Sequence, residues 1–164
     1  MTDKSEQLKY AQWVLERNLG WIAAAEIKAG FIVAIDSAML GVLASSFNSD
    51  KLLVHTSISC WSSACAFILL GIPVFCSAMT VLPRVSGPAS SNIFFGNIRV
   101  KTAEDFKHEF LSTNQEQLLS DCVAQIHRNS QIAHNKFSWV RKAMIFSFIA
   151  VIPWLVALST LVEV

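Results

Sequence analysis

Three stretches of this sequence are long and apolar enough to cross a lipid bilayer, and nothing else limits its fold as strongly. A spanning helix needs about 20 predominantly apolar residues. The stretches run from Ala29 to Phe47, with an earliest start at Trp21, from Ile58 to Leu82, and from Ala143 to Val162. Composition agrees with them. Hydrophobic residues make up 53% of the chain and charged residues 15%, where an ordinary globular chain carries about 25% charged. Mean hydropathy is +0.46. The expected fold is an all-α integral membrane protein with about three transmembrane helices and a long cytosolic helical connector. Residues 1–164 read as a single membrane domain. Its parts are a cytosolic arm (1–20), spans at 21–47, 57–83 and 143–162, and a connector of loop and helices at 84–142.

Local signals fill in the rest. The first residues are polar and amphipathic, with no apolar core of a signal peptide. Leu8, Leu15, Leu19 and Ile22 recur at helical spacing, which predicts one long helix from Ser5 to Phe47. Asn48-Ser49-Asp50 reads as a turn. Gly71 and Pro73 lie inside the second span, where proline removes a backbone donor. Pro83 and Gly87-Pro88 end that span. Arg84 to Val100 reads as a loop with room for a short hairpin. Thr102 to Asp105 has the pattern of a helix-capping box, and Ser112 to Gln115 suggests a second cap after a break near Leu111. From Thr113 a long helix follows. Leu119, Cys122, Ile126, Ala133, Phe137, Val140 and Met144 mark its spacing into the third span.

Lysine and arginine set the orientation. Lys4, Lys9 and Arg17 lie in the arm. Arg84, Arg99, Lys101, Lys107, Arg128, Lys136, Arg141 and Lys142 lie in the connector, and only Lys51 lies between the first two spans. Arm and connector are therefore expected on the cytoplasmic side. Trp21, Trp61 and Trp139 sit near span ends, as interfacial tryptophans do.

Enzyme chemistry finds little support. There is no phosphate loop, nucleophile elbow or zinc-protease motif. The four cysteines and four histidines have no metal-ligand spacing, so no metal, no cofactor and no catalytic residue is expected. A net charge of +1 gives no basic excess for nucleic acid.

Polar groups within the spans carry more information. Asp36 lies about 10 Å into the first span at 1.5 Å per residue. An aspartate near a membrane helix centre costs roughly 2.5–3.5 kcal/mol on insertion scales. It is expected either to lock helices together by a hydrogen bond or to face a pore or cavity. Glu26 and Lys28 lie near the inner edge. Lys28 is too far along the helix to pair with Asp36 in the same helix, leaving a pair between helices or subunits. Ser59, Ser63, Ala66, Leu70, Pro73, Ser77 and Thr80 step by four and three along the second span. Such a seam suits close packing or the wall of a conduction path. Gly30, Val33, Ser37, Gly41 and Ala44 form a similar stripe in the first span. Two such stripes in three helices suggest a homo-oligomer.

The segments Ala25 to Asp36 (AEIKAGFIVAID), Phe94 to Ile98 (FFGNI) after the Pro83-Arg84 exit, and His134-Asn-Lys-Phe137 ahead of the third span carry a resemblance. In order and spacing the chain resembles the Pycsar effector transmembrane family over nearly its whole length. Lys28, Asp36, Phe95, Gly96, Asn97 and Lys136 match the family's pattern. The resemblance implies a bacterial inner-membrane protein of antiphage defence. In such systems a companion pyrimidine cyclase makes cyclic UMP or cyclic CMP, and the effector impairs the membrane in abortive infection. No cyclic-nucleotide-binding barrel is legible in the sequence. The connector offers Arg84, Asn92, Phe94, Phe95, Gly96, Asn97, Arg99 and Lys136 as candidate nucleotide contacts, with Gly96 for close approach to a phosphate and an aromatic ring for the base. The alternative for Phe94-Phe95-Gly96 is a packed turn. The alternative for the whole chain is a scaffold whose cytosolic helices recruit a partner.

Overall fold

The computed structural model describes residues 3–47, 57–88 and 90–162. Its elements are helices α1 (Lys4–Phe47), α2 (Ser57–Val81), α3 (Phe95–Ile98), α4 (Ala103–Ser112) and α5 (Gln115–Val162). No strand occurs among the described residues. The expected turn at Asn48-Ser49-Asp50 lies outside them. The space allowed for a hairpin in the Arg84–Val100 segment holds the single helical turn α3 instead.

Helices α1, α2 and α5 are each long and apolar enough to cross a membrane. At 1.5 Å per residue α1 and α5 are about 66 and 72 Å long, more than twice a hydrocarbon core of about 30 Å. Only part of each can lie in lipid. The chain divides accordingly into two compact units. A spanning unit comprises Ala25–Leu82 and Lys136–Val164, and a connector unit comprises Met1–Ala24 and Pro83–Asn135.

In the spanning unit three seams meet. The buried face of α2 is Ser59, Ser63, Ala66, Leu70, Pro73, Ser77 and Thr80, joined by Cys76. From α1 come Ala25, Ala29, Asp36 and Leu43. From α5 come Lys136, Val140, Ala143, Ala150 and Ala157. Steps of four and three run along α2, and steps of four, three or their sum, seven, along α1 and α5, the period at which helices stay in contact by supercoiling. Bulk lies outside: Phe31, Ile35, Ile68, Phe75, Phe148 and Ile152 are exposed. Lipid solvates such side chains as well as a protein core does, so small residues inside and close backbone approach hold the bundle.

The stripe Gly30, Val33, Ser37, Gly41 and Ala44 is not the buried face of α1. These residues are exposed or half-buried, and no atom outside α1's own backbone would meet a β-carbon at Gly30 or Gly41. The rotation of α1 is set by the costlier group, since an outward turn would leave Asp36 in lipid.

The connector unit is built from caps and polar clasps. The Thr102 hydroxyl oxygen accepts from the Asp105 backbone N–H at 3.1 Å and starts α4. At α5 the box is shifted from Ser112–Gln115 to Asn114–Gln117. Asn114 Oδ1 accepts from the Gln117 N–H and Gln117 Oε1 from the Asn114 N–H, both at 2.9 Å. Ser112 is still the last residue of α4 and its hydroxyl donates to the Glu109 carbonyl, so Asn114 is left to cap. Buried Asn18 of α1 donates through Nδ2 to the Ile126 carbonyl of α5 at 3.1 Å.

Burial pushes the Cys122 thiol above its ordinary range, and neighbouring Asp121 adds to the effect. Thiolate is the reactive form. In a Cys60→Ala, Cys65→Ala, Cys76→Ala background, maleimide labelling of Cys122 at pH 7 is expected to be at least tenfold slower in folded than in denatured protein, as read by mass spectrometry.

Candidate functional site

Lys136 of α5 is only 3% exposed, which is costly for an ammonium without partners. Its Nζ donates to Glu26 Oε1 of α1 at 2.8 Å and to the Thr80 backbone carbonyl of α2. Thr80 lies in the last turn of α2, where carbonyls lack a helical donor. One cation therefore balances a carboxylate and caps a helix end, joining all three long helices. Lys28 takes no part. Its ammonium lies 5.3 Å from the centroid of the Phe137 ring, in cation–π range.

Asp36 is fully buried. Its Oδ2 accepts from the Ser147 hydroxyl of α5 at 2.8 Å, and Oδ1 has no hydrogen-bond partner. The carboxyl borders a cavity of about 240 Å³ whose other walls include Ile32, Met39, Met144, Ser147 and Phe148. The Ser63 and Ser77 hydroxyls of α2 are likewise buried and unpartnered. Serines in helices commonly bond back to a carbonyl three or four residues earlier. Ser62 and Thr80 do so, to Ser59 and Cys76. Ser63 and Ser77 do not.

In the connector unit one face of α5 grips the loop before α3. Asp121 Oδ2 accepts from the Asn92 backbone N–H at 2.8 Å, Gln125 Nε2 donates to Ser91 Oγ at 2.8 Å, and Arg128 Nε donates to the Ser86 carbonyl at 3.0 Å. Their spacing of four and three places them on one helix face. Buried Ser91 is the hub, because its Oγ also accepts from the Ile93 and Phe94 N–H groups. Asn92 Oδ1 accepts from Lys101 Nζ at 2.8 Å. Asn97 Nδ2 donates to the Pro88 carbonyl at 2.8 Å. The Phe94 ring fills the space where β-carbons on Gly87 and Gly96 would stand, 2.5 and 2.3 Å from its nearest atoms. Both glycines are there so that the backbone can close around that ring. A cavity of about 410 Å³ opens beside the loop, lined by Asn92, Glu109, Phe110, Thr113, Gln117 and Asp121.

Of the sequence-derived candidates, the loop brings together Asn92, Phe94, Gly96 and Asn97. Phe95 and Arg99 are exposed and Arg84 is half-buried. Lys136 is engaged with Glu26 and Thr80. The sequence reading missed Ser147, Ser91, Asp121 and Gln125. A hydroxyl in the third span opposite a carboxyl in the first was the available signal for Ser147. The polar spacing of residues 121, 125 and 128 was the signal for the loop clasp.

The chain matches the family model of the Pycsar effector protein domain over residues 10–162. It belongs to the Pycsar effector protein family. Among its relatives are the Pycsar effector protein GmPycTM of Gulbenkiania mobilis, 25% identical across 97% of this chain and 90% of the relative, and the Pycsar effector protein PtPycTM of Propioniciclava tarda, 23% identical across 80% and 69%. No solved structure matches it. The Pycsar effector family supports a role as an antiphage defence effector, and with three apolar helices the chain is a membrane protein.

Two outcomes follow for this Pycsar effector. Glu26→Gln leaves the Lys136 ammonium buried without a counter-charge. Glu26 is itself 44% exposed, so the cost is expected below the 3–5 kcal/mol of a fully buried pair, at roughly 1–3 kcal/mol. The double variant Glu26→Gln, Lys136→Met is expected to recover part of it in a detergent unfolding series. Gly96→Ala forces the Phe94 ring to move and is expected to cost about 1–3 kcal/mol in the same measurement.

Proposed function

We propose that this chain is a multi-pass effector of the bacterial inner membrane, with a cytoplasmic N-terminus, that impairs the membrane in response to a cyclic pyrimidine nucleotide. The nucleotide, cyclic UMP or cyclic CMP, is the product of a companion pyrimidine cyclase, and the outcome is abortive infection. The observation that carries this reading is the family match, which takes in all three spans and the connector loop. The excess of lysine and arginine in arm and connector supports the orientation.

The connector loop is the proposed receiver. Asn92 and its neighbours border a cavity within the 300–1,000 Å³ range of small-molecule sites. Arg84 and Arg99 bring cationic groups to the same loop, and Phe95 brings an exposed aromatic face. No catalytic step is part of the proposal. The ligand acts by binding one arrangement more tightly. Moving a 1:99 equilibrium to 99:1 takes about a 10⁴-fold difference in affinity between the two states. Homo-oligomers belong to the same proposal, with the Gly30, Val33, Ser37, Gly41, Ala44 stripe as the contacting face, since small residues favour close helix approach in lipid.

Membrane potential tests the proposal directly. Cells expressing the chain are loaded with a voltage-sensitive dye and supplied with cyclic UMP, then cyclic CMP. Depolarisation by one nucleotide is expected, with at least a tenfold higher half-effective concentration in an Asn97→Ala, Arg99→Ala variant that inserts normally. An unchanged potential with both nucleotides, with the chain verified in the membrane, favours a scaffold instead.

A further inference from the structure

Burying a hydroxyl or carboxyl oxygen without a partner is expensive in water-soluble proteins and more so in lipid. Among the described residues of the spanning unit are three such oxygens, Asp36 Oδ1, Ser63 Oγ and Ser77 Oγ. All belong to the faces that the three helices turn toward one another. Their order along the bundle follows from contacts. Glu26 is level with Thr80 through Lys136, and Leu43 clusters with Ala66 and Ala157. Helices α1 and α2 therefore run antiparallel. Asp36, between Glu26 and Leu43, falls at about the level of Gly71 to Pro73, between Ser77 and Ser63. Pro73 carries no N–H, so the Leu69 carbonyl lacks its helical donor near the same level.

Read along the axis, the interior is polar at Lys136, Glu26 and Thr80, then at Ser77, then at Asp36 with Ser147, then at Ser63. Ser63 and Thr80 are 17 residues apart, about 25 Å, which is most of a hydrocarbon core of about 30 Å. Two apolar layers interrupt the series. Ala25, Ala29 and Val140, with Ile32 and Phe137 against them, pack between the Lys136 level and Asp36, at about the height of the Ser77 hydroxyl. The second layer lies beyond Asp36 and, among the described residues, has no such hydroxyl at its own height. Leu43, Ala66 and Ala157, backed by Trp154, pack without a polar side chain between Asp36 and Ser63. The Trp154 indole N–H is held by the Met39 carbonyl at 3.0 Å.

We propose that the seam inside one chain is a gated proton path, with Asp36 as the relay and the Leu43–Ala66–Ala157 layer as a dry plug. Asp36 takes up a proton on its carboxylate from one side and releases it to the other, so nothing is consumed. The unpartnered hydroxyls of Ser77 and Ser63 seat the waters that bridge to it. In this structure the plug is shut. Among the described residues the charged groups within the seam are Glu26 and Lys136, with Glu26 ten residues or about 15 Å from Asp36 on the α1 axis. Lys28 of α1, about 12 Å from Asp36 along the axis, and Arg141 and Lys142 of α5, about 8–9 Å from Ser147, are nearer but exposed, on the outside of the bundle. Cys76 is the buried thiol on the α2 face, and the α5 group that bonds Asp36 is the non-titrating Ser147. The proposal deepens the membrane-impairing function and rests on it for its gating. The path itself is testable without any nucleotide.

The purified chain is reconstituted in 3:1 phosphatidylethanolamine–phosphatidylglycerol vesicles containing a pH-sensitive dye, with a potassium gradient and valinomycin as the driving force. Leu43→Ser wets the plug and is expected to raise proton influx at least tenfold over protein-free vesicles, without release of an entrapped fluorophore. Adding Asp36→Asn to Leu43→Ser is expected to abolish the gain, while adding Asp36→Glu keeps at least a third of it. Ser147→Ala leaves the carboxyl in place and is expected to lower the flux two- to fivefold. Mixing active and Asp36→Asn chains distinguishes one chain from many, because flux proportional to the active fraction is expected when each chain carries its own path. A steep power of that fraction, fluorophore release alongside protons, or full flux in the Asp36→Asn variant overturns the proposal. Silent Leu43→Ser vesicles together with nucleotide-induced depolarisation in cells overturn it too, and leave the membrane-impairing function standing.

Discussion

A bilayer core offers no water to a buried polar group, and most of the spanning unit's arrangement follows from that. An ammonium, a carboxylate and an orphan helix-end carbonyl can lie there only if they find one another. Lys136, Glu26 and Thr80 do so, fixing α5, α1 and α2 at one level. Asp36 and Ser147 do the same for α1 and α5 at a second level. Between and beyond these levels the contacts are mostly small residues, alanines and serines with Leu43, Leu70 and Val140 among them, which impose little register of their own. The polar contacts therefore set rotation and height, and the small residues let the helices close around them.

The same constraint explains which stripe of α1 is inside. Two faces compete, one rich in glycine and small residues and one carrying Asp36. Packing alone favours either. The free energy of leaving a carboxyl in lipid exceeds any gain from glycine contacts, so the aspartate face wins. The glycine face is left outward.

The connector unit obeys different physics. It has few large buried side chains, and its order comes from caps and from the Asp121, Gln125 and Arg128 clasp on the loop. A loop held by three polar contacts and one ring between two glycines opens locally at modest cost. That is a suitable property for a segment proposed to respond to a small ligand, and it contrasts with the Lys136–Glu26 ion pair and the Asp36–Ser147 hydrogen bond of the spanning unit.

Much of this was legible in one dimension. Hydropathy run length determined three spanning helices, because bilayer thickness converts directly to residue count. The four-and-three spacing from Ser59 to Thr80 determined the buried face of α2, since helical periodicity is a property of the local chain. Thr102 announced the α4 cap for the same reason. What pairs with what was decided only in three dimensions. Asp36 with Ser147, Lys136 with Glu26 and Thr80, and Ser91 with Gln125 join residues 34 to 111 positions apart. Nothing local distinguishes Ser147 from other hydroxyls in its helix, or Lys136 from other lysines near the third span. Sequence gives each polar group its cost of burial, and tertiary structure alone selects the partner that offsets it.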